Sequence, residues 1–212
     1  MAKGAKRNKS KLMPLTLTFC YSNFTLFKGK SMFTLNEGEI ISSFQELLED
    51  LTTLSYGSYL CELIDISMIE GESNRELFKE LITAFYLLKN KASDLETLLR
   101  AFEIKLLKLT GYGLSTEYCV KCRRKIVNSN YFSYENYGGI CSDCSKENGK
   151  TMSFAAFKAL NYLSKLDLPK VCRVRLSTEV KKEIESILED LILQSYGKKT
   201  KSLEILRNLG EK

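Results

Sequence analysis

The sequence predicts an α+β protein: a short N-terminal β-meander, then an α-helical bundle into which a small metal-binding ribbon is set. Three observations predict it. An apolar alternation of period two is confined to the first 36 residues, apolar positions at helical spacing fill most of the remainder, and two Cys-X-X-Cys pairs lie 18 residues apart.

The alternation begins at Leu15, Leu17, Phe19 and Tyr21, interleaved with Thr16, Thr18 and Cys20, and a second apolar run covers Phe24 to Phe27. Lys28-Gly29-Lys30 reads as a turn into Ser31 to Leu35, which gives about three strands. A meander alone is marginal and must lean on other elements. From Glu37 the pattern turns helical and stays so to Gly111. Ser73-Asn74-Arg75-Glu76 and Ser93-Asp94-Leu95-Glu96 have the capping-box form, in which the serine accepts a backbone N–H and the glutamate reaches back. Leu95, Leu98, Leu99, Phe102, Leu106 and Leu109 make one stripe, closed by Gly111. Residues 56 to 70 and 77 to 88 are similarly apolar, so about four helices are expected here. Phe154 to Leu166 reads as another helix, and Val180, Ile184, Ile187, Leu188 and Leu191 mark a last one closing near Gly197.

Composition narrows the chemistry. The 212 residues contain no histidine, which removes Ser-His and Cys-His nucleophiles, imidazole acids and bases, and His-ligated metals. No uninterrupted apolar run approaches the roughly 18 residues of a membrane span. Leu12 to Phe19 alternates with threonine and lacks a small-residue cleavage site, so it is not read as an export signal. Seven cysteines in that context indicate a reduced, cytoplasmic protein whose thiols bind metal or pack.

Cys119-Val120-Lys121-Cys122 and Cys141-Ser142-Asp143-Cys144 carry the strongest chemical signal. Two residues between thiolates let a tight turn aim both sulfurs at one ion, and the intervening residues suffice for a hairpin, with Asn130 to Tyr134 its strand and Gly138-Gly139 its bend. Four thiolates saturate tetrahedral Zn²⁺ and leave no position for water or substrate, so one structural zinc per chain is expected. A redox pair, a disulfide pair and an iron–sulfur cluster are the rival readings. Cys20, Cys61 and Cys172 stand in apolar contexts and read as packing residues.

Charge is polarised along the chain. Residues 1 to 35 carry seven cations and no acid, whereas residues 36 to 76 carry ten acids against Arg75 alone. Lys3, Lys6, Arg7, Lys9 and Lys11 form a basic arm suited to a phosphate backbone, the bland alternative being a frayed terminus. Lys121, Arg123, Arg124 and Lys125 form a second bank on the first cysteine knuckle. Phe19, Tyr21, Phe24 and Phe27 are either core residues or stacking platforms for bases. Glu46, Glu49 and Asp50 read as the wet side of a helix.

Taken in order, Lys3-Gly4-Ala5 through Lys9-Ser10-Lys11, Tyr59-Leu60-Cys61-Glu62-Leu63, Phe102-Glu103-Ile104-Lys105-Leu106-Leu107 with Gly111-Tyr112, the two cysteine pairs flanking Gly138-Gly139, and Lys201-Ser202-Leu203 resemble the bacterial recombination mediator family RecO. The resemblance implies an N-terminal OB-fold barrel, here a partial one over residues 1–36. It also implies a helical domain over 37–212 with a zinc-binding ribbon at about 115–150. In that family the barrel starts with strands ahead of the Lys3 segment that are not in this sequence, so an open strand edge, impaired solubility and weakened DNA binding are expected. The resemblance further implies binding of single- and double-stranded DNA, strand annealing, engagement of the acidic tail of single-strand binding protein, and partnership with RecR in loading recombinase.

The resulting expectation is a non-enzymatic DNA-binding protein of recombinational repair. The alternative is a zinc-ribbon adaptor that contacts only proteins. A zinc deaminase needs an open coordination position and a nearby glutamate, which four thiolates do not provide.

Overall fold

The computed structural model describes residues 1–7, 9–91 and 94–210. Residues 1–7 and 9–16 wind through successive tight turns, with Ala5 N–H donating to Ala2 O, Arg7 to Gly4, Ser10 to Arg7, Met13 to Ser10 and Thr16 to Met13. Ala5 and Leu15 are buried and pin this run to the molecule. Two strands follow, β1 (Cys20–Lys28) and β2 (Phe33–Ser43), as one antiparallel hairpin with Phe24 opposite Gly38 and Phe27 opposite Thr34.

Two expectations are corrected here. The three-strand meander is a single two-stranded hairpin, because Pro14 at the first position of a 3₁₀ turn (Pro14–Thr16) withdraws Leu15 from the alternation. Leu15 packs over Gly38 instead, where an added Cβ would approach its Cδ1 at 3.2 Å. The helical pattern read from Glu37 is in fact strand through Ser43. That stretch lies in the exposed hairpin, where neither face is apolar enough to announce a strand.

The hairpin leans on the bundle at its root. Phe19, held at φ 57°, sets its ring 5.2 Å from Phe85 and against Gly57, while Tyr21 meets Phe78 at 5.3 Å. The bundle comprises α1 (Leu51–Ser67), α2 (Arg75–Lys89), α3 (Leu95–Leu109), α4 (Phe154–Lys165), α5 (Thr178–Tyr196) and α6 (Lys201–Gly210). The expected four helices before Gly111 are three, preceded by a 3₁₀ turn at Gln45–Leu48. Asn74, rather than Ser73, caps α2: its Oδ1 accepts from Leu77 N–H while its amide donates to Leu109 O at 2.9 Å, a bond serine is too short to make. Asp94 precedes α3; the Ser93 of the second capping box lies outside the described residues.

Helix α3 runs through the centre and packs on α1, α2, α4 and α5. It is buried around most of its circumference, Leu98, Leu99, Ala101, Phe102, Ile104, Leu106 and Leu107 included, and it ends as expected at a left-handed Gly111. Arg100 and Glu103 are buried on the same helix. Their ion pair at 3.2 Å is completed by Tyr59, whose hydroxyl donates to Glu103 at 2.6 Å. Helix α6, not anticipated as a helix, docks on α1. Glu62 accepts from the backbone N–H groups of Lys201 and Ser202, and Arg207 clasps Glu185 and Glu189.

Between α3 and α4 sits a three-stranded sheet, β3 (Tyr131–Ser133) flanked by β4 (Gly138–Gly139) and β5 (Gly149–Thr151). The expected bend at Gly138-Gly139 is a strand, the bend being Tyr134 to Tyr137. Closeness rather than flexibility requires the glycines: a Cβ on Gly138 would fall 2.4 Å from Ser115 O, and one on Gly139 2.5 Å from the Phe157 ring. Phe132 and Met152 carry this ribbon into the common core.

Candidate metal centre and nucleic-acid interface

The ribbon converges four sulfurs. Cys119 and Cys122 stand on a knuckle closed by Arg123 N–H to Cys119 O and Cys119 N–H to Arg124 O, with Arg123 at φ 61°. Cys141 and Cys144 follow β4 on the opposing knuckle. All four Sγ atoms lie within 4.8 Å of one another, and Cys122 and Cys141 are 3.7 Å apart. Tetrahedral zinc with bonds of about 2.3 Å requires sulfurs about 3.8 Å apart, so a donor set gathered within 4.8 Å could hold such an ion.

The electrostatics agree with the geometry. Burial pushes the Cys119 thiol up, but the backbone N–H groups of Cys141, Cys122 and Lys121 outweigh it and bring the pKa down to about 6. The Cys122 thiol is lowered by the Arg124 backbone and guanidinium. Cys144 goes the other way, to about 12, because it shares hydrogen bonds with the Cys141 and Cys122 sulfurs. Cys20, Cys61 and Cys172 take no part, and burial alone pushes the Cys61 thiol up to about 11.

The ribbon is braced to α5. Tyr134 donates to Asp190 at 2.6 Å, Lys150 pairs with Asp190 at 3.6 Å, Ser153 N–H donates to Glu183 at 2.5 Å, and Tyr137 shares a 2.9 Å hydrogen bond with Ser195. A metal tying the knuckles therefore also fixes how they sit on the bundle.

The two basic banks lie on different modules. On the arm, Lys3, Lys6, Arg7, Lys9 and Lys11 are all exposed, and none pairs with a carboxylate among the described residues. A ladder of tight turns lies beneath them. On the knuckle the bank is divided. Lys121 pairs with Glu147 at 2.6 Å and Arg124 with Asp143 at 3.1 Å, whereas Arg123 and Lys125 are exposed and outside any ion pair among the described residues. Of the partners, Asp143 lies within the second cysteine pair and Glu147 just after it, but only the folded ribbon brings them across to the first.

The four aromatics divide likewise. Phe19 and Tyr21 pack against the core, while Phe24 and Phe27 are exposed. Glu46 lies in the 3₁₀ turn and pairs with Lys89, and Asp50 caps α1 through Thr52 N–H. No helix is long and apolar enough to cross a membrane among the described residues.

Comparison with known proteins agrees with this architecture at the junction between hairpin and bundle. The family described as "Recombination protein O N terminal" matches residues 1–44, and "Recombination protein O C terminal" matches residues 48–204. The DNA repair protein RecO of Clostridium acetobutylicum is 59% identical over 211 residues, covering 100% of this chain and 85% of that protein. The RecO of Clostridium perfringens strain SM101 is 48% identical, with 100% and 94% covered, and that of Alkaliphilus metalliredigens is 34% identical, with 99% and 86% covered.

Proposed function

The chain belongs to the recombination protein O family of DNA repair proteins, and from that premise we propose that it acts without catalysis, by capturing DNA strands on fixed cations and annealing complements. The observation that carries the reading is the arm, five exposed cations on a turn ladder with no carboxylate among the described residues paired to them. Phosphates meeting Lys3, Lys6, Arg7, Lys9 and Lys11 release condensed counterions, a sequence-independent gain suited to strands of any sequence. Arg123 and Lys125 add a smaller contribution from the ribbon. Lys121 and Arg124 contribute less than their charge suggests, since a phosphate must compete with Glu147 and Asp143.

In this reading Cys119, Cys122, Cys141 and Cys144 hold one structural Zn²⁺, which ties the knuckles and presents Arg123 and Lys125 at a fixed spacing. The hairpin module ends near Ser43 and the helical module carries the rest. The protein works in the cytoplasm on single and double strands. There it engages the acidic tail of single-strand binding protein and RecR and helps load recombinase.

The test is a salt-resolved titration with a fluorescent single strand. Replacing Lys3, Lys6 and Lys9 with alanine lowers the slope of log K against log salt by about two for single strands and nearly three for duplex. An unchanged slope refutes the role of the arm. Retained affinity for an acidic tail peptide with no DNA affinity at all would instead establish the protein-only adaptor.

A further inference from the structure

At the tip of the hairpin, remote from the metal ribbon, the turn between β1 and β2 closes with Gly29 N–H donating to Met32 O. Beside it lies a notch of about 540 Å³ lined by Lys3 from the arm and by Phe27, Lys30, Met32 and Asn36 from the hairpin, with no carboxylate among its lining residues. Lys3 and Lys30, far apart in sequence, thus line one notch together with Phe27 and Met32. Phe27 is 69% exposed, the largest exposure of any phenylalanine among the described residues, although a β-strand offers it a paired neighbour in Thr34. Lys28, the next residue in the strand, points to the opposite face. An exposed aromatic ring that shares one notch with two lysines has a chemical complement: a planar base with its flanking phosphates.

We propose that this notch is a single-strand-selective subsite, in which an unstacked base lies on Phe27 while its flanking phosphates meet Lys3 and Lys30. The inference rests on the DNA-binding reading and deepens it, because it separates recognition of a splayed base from attraction to phosphate. A base within a duplex has its faces covered by neighbours and cannot use the ring, whereas any base of a flexible strand can, whatever its identity. Cations alone bind both forms. The ring makes the difference between them.

The experiment compares the intact protein with Phe27→Ala on three probes of equal length: a fluorescent oligothymidine, a duplex, and an abasic strand that retains phosphates but lacks bases. Removal of the stacking face lowers affinity for oligothymidine by about fivefold or more and leaves the duplex, the abasic strand and the salt slope unchanged. Lys30→Ala instead flattens the slope. The chain contains no tryptophan, so Phe27→Trp supplies a sole indole, whose fluorescence is quenched by oligothymidine and not by the duplex. Equal losses on all three probes, no loss on any, or an indole unmoved by oligothymidine overturn the subsite. If the intact protein binds none of the probes, both the subsite and the DNA-binding reading fail; a silent Phe27→Ala with wild-type affinity intact removes the subsite alone.

Discussion

The buried trio Tyr59, Arg100 and Glu103 concentrates the cost of polarity in the centre of the bundle. Burial pushes the Glu103 carboxyl up, against the pull of Arg100 and the Tyr59 hydroxyl, and Glu103 Oε2 and Arg100 Nε have no hydrogen-bond partner among the described residues. Glu103 therefore leans on the 2.6 Å bond from Tyr59, and Tyr59→Phe removes the hydroxyl donor and leaves Glu103 Oε1 only the Arg100 guanidinium at 3.2 Å. The variant loses about 1–3 kcal/mol in urea unfolding, more than a removed surface hydroxyl costs. Asp94 behaves in the opposite sense. Partial burial raises its carboxyl, but Thr97 and Lys181 outweigh that and hold it below 3.8. Its contribution is thus fully present above pH 3.8 and is lost as pH falls through the lower native value. Asp94→Asn is less stable than the wild type at pH 7, and the difference closes as melts are taken below pH 3.8; a constant difference would mean that charge is not its source.

At the scale of elements, sequence and structure part company where a residue's role depends on what stands across from it. The clustering of the four thiols was legible because two-residue spacing is itself the geometry of a knuckle, α3 and α5 because their apolar stripes and closing glycines are local signals, and α4 because of its apolar stripe. Gly138 and Gly139 were misread as a bend, since sequence marks a glycine without revealing whether it serves torsion or contact. Leu15 was misread as a strand residue for want of its partner Gly38, and Asp143 and Glu147 gave no sign that they would neutralise Arg124 and Lys121. Contact makes the glycines a test of the ribbon. In Gly138→Ala the new methyl meets the backbone oxygen of Ser115, which cannot swing away, so β4 shifts and the cysteines that flank it lose register. Atomic absorption on protein purified without chelator finds about one zinc in the wild type and clearly less in this variant. Full zinc content in the variant would show that the knuckles tolerate movement of β4.

Across the whole molecule, one continuous core joins the hairpin root, six helices and the ribbon, and the hairpin beyond its root stands apart from it. Phe24, Leu26, Phe33, Ile40 and Ile41 are exposed there, on two strands with no further strand paired outside them among the described residues. Such an edge is a template for a second chain, which Ile41→Lys would blunt. Light scattering at rising concentration shows association of the wild type and less of it in the variant; equal association would place the sticky surface elsewhere.

The turn ladder under the basic arm has a thermodynamic corollary. Its backbone has already given up most of its conformational freedom before any polyanion arrives, so complex formation through it carries no coupled-folding penalty. Calorimetry of that encounter would then register a small heat-capacity change alongside a steep ionic-strength response, the signature of a preorganised electrostatic dock.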